Sequence, residues 1–123
     1  MSRIRPPELE SRLESGEEPY VLDVRPEADY RAERIEGSHN VPVYGALRDG
    51  DDDALRRQLD GVPRDREVVT VCKAGIVARR ATSVLREEGY DAVTLTGGMR
   101  GWTGYQNGSF RYRVLSALWR LVP

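Results

Sequence analysis

One cysteine, one histidine, one lysine and one phenylalanine stand in a chain of 123 residues. A lone cysteine excludes an internal disulfide and lends no support to a secreted, oxidising setting. With a single histidine beside it, the usual Cys/His zinc cages are excluded as well, and no metal is expected. No run of about 18 apolar residues occurs, so no membrane span is expected. The opening Met1-Ser2-Arg3-Ile4-Arg5-Pro6-Pro7 lacks the apolar core of a signal peptide, and a cytoplasmic location is expected. An excess of one charge is also missing. Nineteen basic against twenty acidic side chains leave a formal net charge of -1. A nucleic-acid partner, which calls for a strongly basic domain, is therefore not expected.

What is present fits one domain, since about 100–200 residues is the usual size and such a chain can bury a core without covalent staples. Leu9 and Leu13, four apart behind Pro6-Pro7 and before Gly16, predict a short N-terminal helix. Tyr20-Val21-Leu22-Asp23-Val24 reads as a buried strand ended by Pro26. One or two helical turns are expected over 27–31, then a turn and a short strand over 35–42. Asp49-Gly50-Asp51-Asp52-Asp53 is a solvated acidic turn rather than a calcium loop, because it lacks the alternating ligands and the terminal Glu. A helix carrying Leu55 and Leu59 follows, stopped by Gly61 and Pro63. Glu67-Val68-Val69-Thr70-Val71 is a β-branched strand. Residues 72–77 form a loop, 78–88 a helix with Ala78, Ala81, Val84 and Leu85 on one face, and 92–95 a last strand. Strands alternating with helices predict an α/β fold with a parallel sheet and helices on both faces.

The chemistry gathers at Cys72. It ends a predicted buried strand on the side where open α/β sheets place their ligands. A small glycine-containing loop and a helix start follow, and their N–H groups and partial positive charge favour an anion or a thiolate. Lys73, Arg79 and Arg80 add cations nearby. A buried, inert thiol is the alternative. Asp23 and Arg25 lie on one face of their strand, and a buried ion pair that orders the loops is favoured over substrate contact. His39 follows Ser38, but neighbours on a strand point apart, so a turn or surface histidine is expected rather than a Ser/His pair. Arg100 fits either the pocket mouth or an exposed helix position.

Three pieces in order carry a resemblance: Leu22-Asp23-Val24-Arg25 with Tyr30 and Gly37-Ser38-His39-Asn40-Val41-Pro42; the Cys72 loop; and Gly97-Gly98-Met99-Arg100-Gly101-Trp102. Spanning residues 3 to about 104, the chain resembles a single-domain rhodanese. The resemblance implies a central five-stranded parallel sheet with helices on both faces. It implies that Cys72 is the catalytic residue, carrying a persulfide cradled by the backbone amides of Lys73, Ala74, Gly75, Ile76 and Val77, with Asp23 and Arg25 in support. A sulfurtransferase of this kind takes sulfur from thiosulfate, a polysulfide or a persulfide and passes it to a thiol, a protein or another thiophilic acceptor, with no cofactor. Two positions depart from the common pattern: Glu33-Arg34-Ile35 replaces Gly-His-Ile, and Val77 stands where many members have Arg. A binding or regulatory module, or a dedicated protein-to-protein sulfur carrier, is the alternative. A Cys-dependent phosphatase is disfavoured because Ala78 stands where its phosphate-clamping Arg would be.

The rhodanese-like domain is expected over 1–104 and an amphipathic helical extension of it over 105–123. Val114, Leu115, Leu118 and Val122 share one helical face, which is expected to dock on the domain, with a partner or membrane-surface contact as the alternative.

Overall fold

The computed structural model describes residues 2–119. Five parallel strands form one sheet in the order β1 (Arg3–Ile4), β5 (Ala92–Leu95), β4 (Val68–Val71), β2 (Tyr20–Asp23), β3 (His39–Asn40). Between them run α1 (Pro6–Glu14), α2 (Glu27–Ala32), α3 (Tyr44–Arg48), α4 (Asp53–Arg56) and α5 (Val77–Glu87), and α6 (Gly98–Trp119) closes the chain. The expected parallel α/β architecture is the observed one. The edge strand β1 is the fifth strand; two residues long, it carries no hydrophobic run from which periodicity could find it.

The strands alternate their side chains between two apolar layers, as a pleat requires. Leu22, Val24 and Val68 face Leu47, Leu55, Ala78, Ala81 and Leu85 of α3, α4 and α5. Val21, Val69, Val71 and Leu95 face Leu9 of α1 and Met99 of α6, with Ile4 and Ile35. The α5 stripe read from the sequence is the buried one, with Ala78, Ala81, Val84 and Leu85 at 1% exposure or less. Thr70 breaks the apolar series, and its hydroxyl is satisfied inside the core. It donates to the Ala78 carbonyl at 3.1 Å and meets Thr82 Oγ1 at 2.8 Å, which in turn meets Thr94 Oγ1 at 2.6 Å. This hydroxyl chain ties β4, α5 and β5 together without an unpaired buried group.

Two further outcomes differ from expectation. Tyr44–Arg48 is helical, where the sequence offered no cap or repeat long enough to read. The tail helix does not begin at 105; α6 starts at Gly98, directly after the turn at Thr96-Gly97, and continues unbroken through Trp119. Within the face expected to dock, Val114 and Leu118 are 41% and 54% exposed, so these two do not pack on the domain. The side chain of Leu115 and all of Val122 lie outside the described residues.

Candidate active site

Strand order places the site. The chain leaves β2 toward β3 on one side and leaves β4 toward β5 on the other. The carboxyl ends of β2 and β4 therefore flank a topological switch point, where parallel sheets open a crevice. Asp23 and Arg25 follow one of these strands and Cys72 the other.

Cys72 is buried at 1% exposure, and its Sγ accepts a hydrogen bond from the Gly75 N–H at 3.0 Å. Of the five amides expected to face the sulfur, this is the one bonded to it. Gly75 reaches that geometry at φ +89°, in the left-handed region that glycine adopts at no steric cost. The loop ends where α5 begins, at Val77. Ala74 and Ile76 lie on the outside of the loop, with Ile76 71% exposed.

The second half of the site is the Gly97-Gly98 turn, which closes the Cys72 loop from behind. Met99 N–H donates to the Cys72 carbonyl at 2.8 Å and Arg100 N–H to the Lys73 carbonyl at 3.0 Å. A Cβ on Gly98 would stand 2.4 Å from the Cys72 carbonyl oxygen and 2.7 Å from the Gly75 nitrogen. Only a residue without a side chain lets these two backbones approach so closely. Arg100 itself is exposed.

Asp23 and Arg25 form the buried pair expected of them, at 1% and 5% exposure. The carboxylate accepts from Arg25 Nε at 3.0 Å and from a terminal guanidinium nitrogen at 2.7 Å, and also from the Arg25 backbone N–H at 3.0 Å. The guanidinium further donates to the Glu33 carbonyl at 2.6 Å. Asn40 Nδ2 donates to the carbonyls of both Asp23 and Arg25, at 3.0 and 2.9 Å. These bonds lock the loop after β2 to the end of α2 and to β3. A buried charge that lost its partner here would cost about 3–5 kcal/mol.

The cations near Cys72 divide three ways. Lys73 Nζ stands 3.7 Å from Asp29 Oδ2 and 5.2 Å from the Tyr44 ring centre, and the residue is exposed. Arg80 is held by Asp52 at 2.7 and 3.2 Å, away from the sulfur. Arg79 faces a separate groove along α5. Asp29 and Tyr44, which the sequence did not single out, thus decide where Lys73 points. No periodic or spacing signal marks either. His39 is exposed and stacks on Tyr20, with ring centres 4.2 Å apart and planes at 5°. Among the described residues no three His, Cys, Asp or Glu side chains converge on a metal position, and no helix is long and apolar enough to cross a membrane.

Comparison with known proteins agrees with this arrangement. The family model described as "Rhodanese-like domain" matches residues 5–105. The chain is 29% identical over 96 residues to YtwF of Bacillus subtilis, covering 78% of this chain and 84% of YtwF. It is 30% identical over 117 residues to the adenylyltransferase and sulfurtransferase MOCS3 of Arabidopsis thaliana, covering 89% of this chain but 25% of that longer protein. The structure of the human single-domain sulfurtransferase TSTD1 superposes with a TM-score of 0.66 at 28% identity, over 85% of this chain and 96% of that one.

Proposed function

This chain belongs to the rhodanese-like domain family, with sulfurtransferases among its relatives, and on that premise we propose that it moves sulfane sulfur through a persulfide on Cys72. The observation that carries the reading is the Gly75 N–H aimed at Sγ at 3.0 Å, just past the carboxyl end of β4 at the topological switch point. The Cys72 thiolate attacks the outer sulfur of thiosulfate, a polysulfide or a protein persulfide. The new S–S bond forms as the old one breaks, and the leaving group (sulfite, for thiosulfate) departs with the electron pair. An acceptor nucleophile then attacks the terminal sulfur and returns Cys72 to the thiolate. No general base is required when the nucleophile is already ionised. The Gly75 amide is a preorganised donor for the anionic sulfur, and the neighbouring amides of residues 73–77 lie in the same loop around the outer sulfur's position. Lys73, exposed beside the Cys72 loop, draws anionic donors toward the sulfur, an effect that weakens with salt.

A phosphoryl group carries about two negative charges and three acceptor oxygens, and needs a bidentate clamp. Val77 and Ala78 offer none. The test is intact-mass measurement after incubation with thiosulfate or polysulfide. We expect the mass of one added sulfur on the native chain and none on Cys72→Ser, and no aryl phosphate hydrolysis by either. A folded native protein that takes up no sulfur from any donor would leave the binding-module reading in its place.

A further inference from the structure

A groove of about 740 Å³ runs along α5 beside the β1–β5 edge, with Ala74 and Gly75 of the Cys72 loop in its wall. It exists because α5 lies over β4 and β5 while β1, only two residues long, leaves the outer margin uncovered. Its size falls in the range of about 300–1,000 Å³ typical of small-molecule sites. Arg3, Arg79 and Arg86 line it, with Ser83 between the last two and the backbone of Gly75 at one end.

The charge here is uncompensated. Arg79 and Arg86 are seven residues apart on α5, two turns or about 10 Å along one face. Arg3 pairs in register with Thr94 of β5, and the Arg86 guanidinium donates at 3.2 Å to the carbonyl of Ala92 on the same strand. Among the described residues, the guanidinium of neither Arg3 nor Arg79 has a hydrogen-bond or ion-pair partner. The single carboxylate in the lining, Glu87, is drawn to Arg56 at 2.7 Å. Three guanidinium groups thus share one concave surface, those of Arg3 and Arg79 unpaired among the described residues and that of Arg86 spending one nitrogen on the Ala92 carbonyl, and such groups pair best with phosphate or carboxylate.

We propose that this groove binds an elongated small polyanion, a molecule with two or more phosphate or carboxylate groups spread over about two turns of α5. A compact anion such as thiosulfate would reach one guanidinium and leave the others unmet. The occupant would lie against the back of the loop whose Gly75 holds the Cys72 sulfur.

The test uses the Cys72→Ser protein, so that sulfur chemistry plays no part and the result is independent of the proposed transfer. Inorganic tripolyphosphate is titrated in by calorimetry at low and at moderate salt. Saturable one-to-one binding is expected. Arg79→Ala and Arg86→Ala should each weaken it about tenfold, the size of one charge-assisted contact. Arg48→Ala on α3, outside the groove, should leave it unchanged. Absence of saturable binding, or an equal loss in the Arg48 variant, would overturn the proposal.

Discussion

A methyl group on Gly98 has no free volume to occupy. The atoms it would strike are the Cys72 carbonyl and the Gly75 nitrogen, both backbone, so no rotamer change relieves the clash. The two loops must separate instead, and the Gly75 N–H moves off the sulfur. Gly98→Ala is therefore expected to lower stability by roughly 1–3 kcal/mol. It should also abolish sulfur uptake at temperatures where the variant is still folded. Gly104→Ala is the matched control, because its added Cβ meets nothing within 4 Å. Inside α6 that change should stabilise by about 0.5–1 kcal/mol. Denaturant melts and intact-mass assays on the two variants check both outcomes. Equal sulfur uptake by Gly98→Ala would mean the turn supports the fold but not the sulfur position.

Elements divide by how much pattern they carry. The α5 stripe and the β-branched run before Cys72 are long enough to show a period, and both fold as read. The core cysteine and the Asp23–Arg25 pair were legible for the same reason: each lies at the end of a readable strand. β1 and α3 were not, being two and five residues held by neighbours rather than by their own repeat. The partners of Lys73 were invisible too, since Asp29 and Tyr44 meet it only across the fold. Contacts between α1 and α6 belong to this group. Glu10 accepts from Tyr105 Oη at 2.8 Å and from Gln106 Nε2 at 2.7 Å, joining helices some 95 residues apart in sequence. Glu10→Ala should loosen the start of α6 and cost about 1–3 kcal/mol, as charged hydrogen bonds do. Hydrogen exchange should quicken at the 105–106 amides and stay slow in β4. Uniform quickening would instead mark α1 as essential to the whole sheet.

Across the molecule, the two ends of the sheet carry different electrostatics. The carboxyl ends hold the sulfur and its amide donor, while the amino ends gather a charged seam. There Glu67, just before β4, pairs with Arg12 of α1, and Arg66 donates to the Glu18 carbonyl at 2.8 Å beside the Tyr20 ring. The Glu67 carboxyl is nonetheless held above its ordinary value of 4.5, because burial outweighs the attraction of Arg12. A raised folded value means that the native state binds more protons than the unfolded one in the interval between the two. This group's contribution to stability is then fully present below pH 4.5 and is lost as pH rises through the raised value. Glu67→Gln keeps the shape and a hydrogen-bond acceptor for Arg12 but cannot ionise. Its stability relative to the native protein should therefore increase as pH climbs just above 4.5, then level off toward neutrality. Denaturant unfolding of both proteins from about pH 4 to about pH 8 reads this difference directly. A difference that moves in the opposite direction would show that the bond to Arg12, and not burial, governs how this end of the sheet responds to pH.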